Sequence, residues 1–206
     1  HKQILLGRSE RAPMEYTAFA YTVSEDDGRI TVCAGNTRIE VENGLICRYA
    51  VGGRELISSP LMPNFHRAPT DNDGIIGFSE RHAGEWNGKL VHDLRFGLHE
   101  QTVEQLDDRC VIHAAGKILP QSQYWGFDAE LIYTISDGGN VEIRMKGKPY
   151  GNAPQILPRI GMKVCLPADA DRAEWFGRGP GDSYSDRKHA SPVGLYAMDI
   201  ADMNFR

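Results

Sequence analysis

The sequence predicts an all-β fold: a predominantly antiparallel domain of many strands, built as a large sandwich or two stacked sheets. Three observations carry this. Short apolar and β-branched runs alternate with polar residues at period two, the mark of strands with one buried and one wet face. Hairpin-type turns separate them at short intervals, among them Asp26-Asp27-Gly28, Glu42-Asn43-Gly44, Gly52-Gly53 and Asp137-Gly138-Gly139-Asn140. No sustained 3.6-residue periodicity and no repeat of fixed period runs through the 206 residues.

Residues 1–13 read as a linker or the tail of a preceding element, which puts the domain at 14–206. Ala18 to Val23 is aromatic and β-branched, and the turn after it leads into Ile30 to Ala34. Thr37 to Val41 and Leu45 to Val51 repeat the device, and Gly52-Gly53 turns into Glu55-Leu56-Ile57, so the first third is a meander. Pro60, Pro63 and Pro69 hold the stretch up to Gly74 out of regular structure, because proline lacks a backbone donor and restricts its predecessor. Residues 80–87 form a short helical turn around Glu85 and Trp86. Longer strands follow over His92 to Thr102, Cys110 to Ala115, Gly126 to Ser136 and Val141 to Lys146, with another over Pro158 to Leu166. Trp175-Phe176 then leads, as a buried strand end, into the irregular loop Gly177-Arg178-Gly179-Pro180-Gly181-Asp182-Ser183-Tyr184-Ser185-Asp186-Arg187-Lys188. Its glycines and proline exclude a helix or a continuous strand.

At 41% hydrophobic the chain can bury a substantial core. A net charge of -5 argues against a nucleic-acid surface. No apolar run approaches the roughly 20 residues of a membrane-spanning helix, and the start lacks a signal-peptide pattern. The four cysteines, at 33, 47, 110 and 165, have no metal-ligand spacing. They read as free thiols in a reducing compartment, with a disulfide between two of them still open.

The run Asp71-Asn72-Asp73-Gly74 shares a fragment with calcium loops, but the twelfth position from Asp71 is His82 rather than glutamate, and turn chemistry is the better reading. Arg67, beside it, is placed to brace a tight loop by bidentate hydrogen bonds to a carboxylate or to carbonyls. The histidines show no zinc pattern. The 177–181 stretch is a poor phosphate cradle, since Pro180 removes an amide donor. Asp182 and Asp186 read as salt-bridged structural acids rather than the carboxylate pair of a glycosidase. Proton transfer on a sugar would need a histidine and a carboxylate, for which His66, His113 and Glu130 are the candidates. A carbohydrate-binding module would need exposed aromatics, for which Trp86, Tyr124, Trp125 and Trp175 are available.

Phe65-His66-Arg67-Ala68-Pro69-Thr70-Asp71-Asn72-Asp73 and the stretch from Trp175 to Arg187 together resemble the C-terminal domain of large bacterial β-galactosidases of glycoside hydrolase family 2. The family's forms are close to F-x-R-A-P-T-D-N-D and W-x-G-x-G-P-x-E-N-Y-x-D-R, in this order and at this separation. Weaker likeness runs through Ile4-Leu5-Leu6-Gly7, Pro158-Arg159-Ile160-Gly161 and Gly194-Leu195-Tyr196. The resemblance implies a β-supersandwich of the galactose mutarotase type. It implies an accessory role in a cytoplasmic enzyme that hydrolyses terminal β-galactosides such as lactose, with retention. By resemblance, the catalytic glutamates lie in a preceding (β/α)₈ barrel of the same polypeptide, so no residue here is catalytic. Magnesium and sodium belong to the parent enzyme, and no cofactor or metal is assigned to this segment. The substrate-adjacent loop is Gly74, Ile75, Ile76, Gly77, Phe78 and Ser79, a flap with glycines at its hinges. The residues that shape the two motifs are Arg67, Asp71, Asn72, Asp73, Trp175, Arg178, Asp182, Tyr184, Asp186 and Arg187. Trp175 is read as the anchor of its loop, because the family's sugar-stacking tryptophan lies beyond Arg206. Where the family has Glu-Asn before its tyrosine this chain has Asp182-Ser183, so the contacts of that pair are not carried over. A supersandwich ending at Arg206 leaves strand edges unpaired, and a homo-oligomer is expected to cover them.

Overall fold

The computed structural model describes residues 16–74, 80–121, 124–181, 183–184 and 187–203. The chain divides into two compact units, one of Tyr16–Leu166 and one of His1–Glu15 with Pro167–Arg206. The fold is all-β and antiparallel, as expected, with a single α-helix among the described residues.

In the larger unit, β1 (Tyr21–Asp26), β2 (Arg29–Ala34), β3 (Thr37–Glu42), β4 (Leu45–Val51) and β5 (Arg54–Glu55) form a five-stranded meander in sequence order. The turns between them use the left-handed backbone that the sequence reserves for Asp, Asn and Gly. Asp27 and Gly28 stand at φ 44° and 75°, and Asn43 and Gly44 at 50° and 74°, which matches the right-handed twist of the flanking strands. β6 (Met62–Asn64) follows, then α1 (Glu80–Gly88). A second, four-stranded sheet is made of β7 (Leu94–Gln105), β8 (Cys110–Pro120), β9 (Trp125–Ser136) and β10 (Asn140–Gly151), again with sequence neighbours paired. β11 (Gly161–Lys163) pairs with β6.

The two large sheets face each other across one core. Ile30, Val32, Ile39, Val41 and Ile46 of the first pack with Ile112, Ala114, Leu131, Tyr133 and Ile135 of the second, all nearly inaccessible. The one phenol in that layer has its partner: the Tyr133 hydroxyl donates to the Gly44 carbonyl at 2.9 Å, and burial raises its pKa far above the ordinary range. A second cluster joins the outer end of this sheet to the helix, through Phe65, Trp86, Val91, Leu94, Ile118, Trp125 and Phe127.

Three boundaries differ from the sequence reading. The first strand begins at Tyr21 rather than Ala18, where its ladder with β2 begins. The strand expected over Pro158 to Leu166 shrinks to Gly161–Lys163, since its partner β6 is only three residues long and carries Pro63 at its centre. The expected helical turn becomes a nine-residue helix, with a Glu85–Lys89 pair at 2.7 Å one turn apart.

In the smaller unit, β12 (Arg172–Arg178) and β13 (Val193–Asp199) form a two-stranded ribbon. Trp175 to Arg178 therefore continue a strand; the ladder survives its glycine because Gly177 lies opposite Gly194. Period two sends the adjacent aromatics to opposite faces, so Trp175 is half-buried while Phe176 is 80% exposed. The expected buried strand end is met halfway by Trp175 and not at all by Phe176.

The cysteines are free thiols; Cys110 is buried, which pushes its pKa up to about 11. Among the described residues no helix is long and apolar enough to cross a membrane.

Candidate functional site

The first motif folds into an ionic clasp. Residues 65–70, with Pro69 among them, carry no regular structure, and a 3₁₀ turn at Asp71–Asp73 follows. Arg67 then meets Asp73 through both guanidinium nitrogens, Nη1 to Oδ2 at 2.5 Å and Nη2 to Oδ1 at 3.0 Å. Thr70 donates to the same carboxylate through its backbone N–H at 2.7 Å and its hydroxyl at 2.9 Å. The Asp73 N–H returns to the Thr70 carbonyl at 2.9 Å. Arg67 also donates to the carbonyls of Ala68 at 3.0 Å and Pro158 at 3.3 Å. Its guanidinium lies 5.5 Å from the centre of the buried Trp86 ring, and the Trp86 indole N–H donates to the Ile156 carbonyl at 2.8 Å. Four donated hydrogen bonds, led by those from Arg67, hold the Asp73 carboxyl well below the usual carboxylate range.

The clasp is a rigid platform from which the chain leaves at Gly74, whose φ of 108° an ordinary residue rarely adopts. The rest of the predicted flap, residues 75–79, lies outside the described residues. Asn72 is exposed on the turn. The Asp73 carboxylate is engaged with Arg67 and Thr70 and is not free for a cation. Elsewhere too the buried or bridged acids are held by bases, Glu40 by Arg38 and Arg48 and Glu130 by Lys146 and His113. Among the described residues no three metal-ligating side chains gather.

The second motif is organised by Trp175. Its indole N–H donates to the Arg178 carbonyl at 3.0 Å, and its ring lies 5.6 Å from that of Tyr196. Gly179 is buried beneath these rings; a Cβ there would come within 2.9 Å of Tyr196 and 3.0 Å of Trp175. The Gly179–Pro180 peptide is cis. Arg178 reaches across the loop to the carbonyls of Lys188 at 2.6 Å and Ser191 at 3.0 Å, while the Tyr196 hydroxyl donates to Pro192 at 2.9 Å. The Arg187 N–H closes a turn onto the Tyr184 carbonyl at 2.9 Å. Trp175 thus ties its own loop. Asp182 and Asp186 lie outside the described residues.

The histidine–carboxylate candidates separate. His66 packs edge-on against His92 with ring centres 5.8 Å apart. His113 does meet Glu130, Nδ1 to Oε1 at 3.0 Å, on the solvent face of the second sheet. But Glu130 also accepts from Lys146 at 2.9 Å, and Lys146 first and His113 second hold it below the usual range. A carboxylate neutralised from two sides is a weak base. Of the aromatics, Trp86 and Trp125 are buried, and Tyr124, 98% exposed, stands apart from its neighbour. Sequence reasoning missed this His113–Glu130–Lys146 row as a unit. Its signal was the alternation of charge on neighbouring strands, which becomes readable only once the register is known.

Comparison with known proteins then places the chain. The family model described as beta galactosidase small chain matches residues 34–206. A β-galactosidase of Psychromonas ingrahamii is 30% identical over 200 residues, covering 88% of this chain and 18% of its own length. One of Vibrio cholerae is 28% identical over 196 residues, covering 87% of this chain and 18% of its own length. One of Kluyveromyces lactis is 30% identical over 135 residues, covering 64% of this chain and 13% of its own length. The chain thus spans less than a fifth of the length of each of these three relatives.

Proposed function

The chain belongs to the beta galactosidase small-chain family, and on that premise we propose that it serves as an accessory domain of a β-galactosidase. The intact enzyme would hydrolyse terminal non-reducing β-D-galactosides such as lactose, in the manner of glycoside hydrolase family 2 and in the cytoplasm. The bond-breaking glutamates would lie in a (β/α)₈ domain of the same polypeptide, together with the magnesium and sodium sites. The observation that carries the reading is the family match over residues 34–206, in a chain that covers about a fifth of its relatives. The geometry supports it: the clasp at Arg67 and Asp73 fixes the base of segment 75–79, which we assign to the wall of the sugar pocket. The larger architecture would be the supersandwich of the mutarotase-like proteins, without mutarotase chemistry, since Glu130 is already bound to Lys146 and His113.

The test is a chromogenic β-galactoside assay. The chain alone is expected to read at the blank, and the parent polypeptide that contains it to turn over. Turnover by the isolated chain that survives repurification would overturn the assignment. A coupled mutarotation assay on the chain alone is likewise expected to stay at the spontaneous rate.

Self-association belongs to the same proposal. Phe176 and Leu195 are cross-strand partners on one face of the ribbon, 80% and 78% exposed. Paired large apolar side chains left in water favour a partner surface. Size-exclusion chromatography with light scattering should show a dimer or larger species for the isolated chain, and Phe176→Ser with Leu195→Ser should shift it to monomer. A clean monomer before substitution would count against it.

A further inference from the structure

We infer that the recess between the β6–β11 ribbon and the segment leading into β7 binds a small oxyanion, a carboxylate or phosphate group. The recess has a volume of about 160 Å³ and is lined by Met62, Pro63, Asn64, Val91, His92, Leu94 and Lys163, room for a few water molecules or one such group. Its polar side chains, those of Asn64, His92 and Lys163, all carry N–H donors. Lys163 stands on β11 directly across from Met62 and makes no ion pair among the described residues. His92 likewise has no hydrogen-bond partner among them, though its ring packs on His66. The carbonyl oxygen of the Asn64 side chain already accepts from the His66 backbone N–H at 3.0 Å, which leaves its amide hydrogens to give.

No carboxylate lines the recess to answer these groups. The acid next to His92 in sequence, Asp93, is paired with Arg95 at 3.5 Å. The floor is apolar, with Val91 1% and Leu94 9% exposed, and next to a low-dielectric surface a charge-assisted hydrogen bond gains strength. His66 adds to the same picture, since burial, then His92 and Arg67, lower its pKa and keep it uncharged. One ammonium, one imidazole and one amide line a single recess with no carboxylate among its lining residues, and that is the composition of an oxyanion site. The recess borders the first motif through His66, but it is lined by none of that motif's residues, so it can be tested whether or not the chain serves a β-galactosidase.

The experiment follows the His92 imidazole C–H resonances by NMR while inorganic phosphate, and separately acetate, is added at constant ionic strength set with chloride. Saturable movement with either anion is expected, with Lys163→Met about tenfold weaker, the effect of losing one charge-assisted hydrogen bond. Lys163 is exposed, so the variant should fold; Lys163→Gln repeats the measurement with a polar side chain and should weaken binding as well. Linear, unsaturable movement with both anions overturns the proposal. So does saturable binding that is unchanged in both lysine variants.

Discussion

Replacing Asp73 with asparagine is expected to cost about 3 kcal/mol of stability, the scale for breaking a bridged, largely buried ion pair from one side. The substitution also removes the share of the chain's sensitivity to acid that Asp73 contributes. Only 13% of the Asp73 side chain is accessible, so the strength of its contact is not diluted by solvent. The sign follows from the depressed pKa. A carboxyl ionised more easily in the folded than the unfolded chain contributes its full stabilisation above the ordinary carboxylate value of about 4. That contribution is lost progressively as pH falls toward the folded value. Urea unfolding at pH 7, 4 and 2.5 should therefore show the natural chain losing more stability over the lower interval than Asp73→Asn does, the remainder coming from other bridged acids such as Glu40 and Glu130. Arg67→Met should cost a similar amount, because it leaves the carboxylate with only the Thr70 donors. The double substitution should cost less than the sum, since one contact cannot be lost twice. Additive losses, or equal acid slopes in the two chains, would show that the clasp is not what holds this turn.

How much of this was legible beforehand depends on how locally each feature is encoded. The meander was, because Asp27-Gly28 and Asn43-Gly44 declare their turns within two residues. The clasp was half legible. Arg67 announced itself as a brace, but Asp71 and Asp73 both lay within reach, and only the 3₁₀ turn decides that Asp73 swings under Thr70. Strand ends were not legible, because a strand stops where its partner stops: residues 158–166 keep three paired positions since β6 offers three. Phe176 was misjudged by treating it as one unit with Trp175, although alternation alone forbids neighbours from sharing a face. The rest is register. His113 reaches Glu130 diagonally, its own ladder partner being Ile132. The donor recess assembles residues 62–64, 91–94 and 163, which no local pattern connects.

The same dependence on distant partners gives the second large expected effect. Gly139→Ala should destabilise the chain by about 4 kcal/mol, as a left-handed backbone cost and an overpacking cost fall on one residue. Gly139 closes the turn between β9 and β10 at φ 74°. It is buried against the other sheet, where a Cβ would lie 2.4 Å from the Thr37 methyl and 2.6 Å from its hydroxyl. Thr37 is itself 2% exposed and cannot move aside into solvent. This contact fastens one sheet to the other: the Thr37 hydroxyl donates to the Gly138 carbonyl at 3.3 Å, and the Tyr49 hydroxyl to the Gly139 carbonyl at 2.9 Å. The control is its neighbour. Gly138 has nearly the same φ, 71°, but its Cβ would meet only the exposed Asn140 amide, at 3.6 Å. Gly138→Ala should therefore show the backbone cost alone, about 1 kcal/mol. The difference between the two melts measures the docking of turn on sheet, and equal melts would mean that Thr37 yields and that the sheets are held by their apolar layer alone.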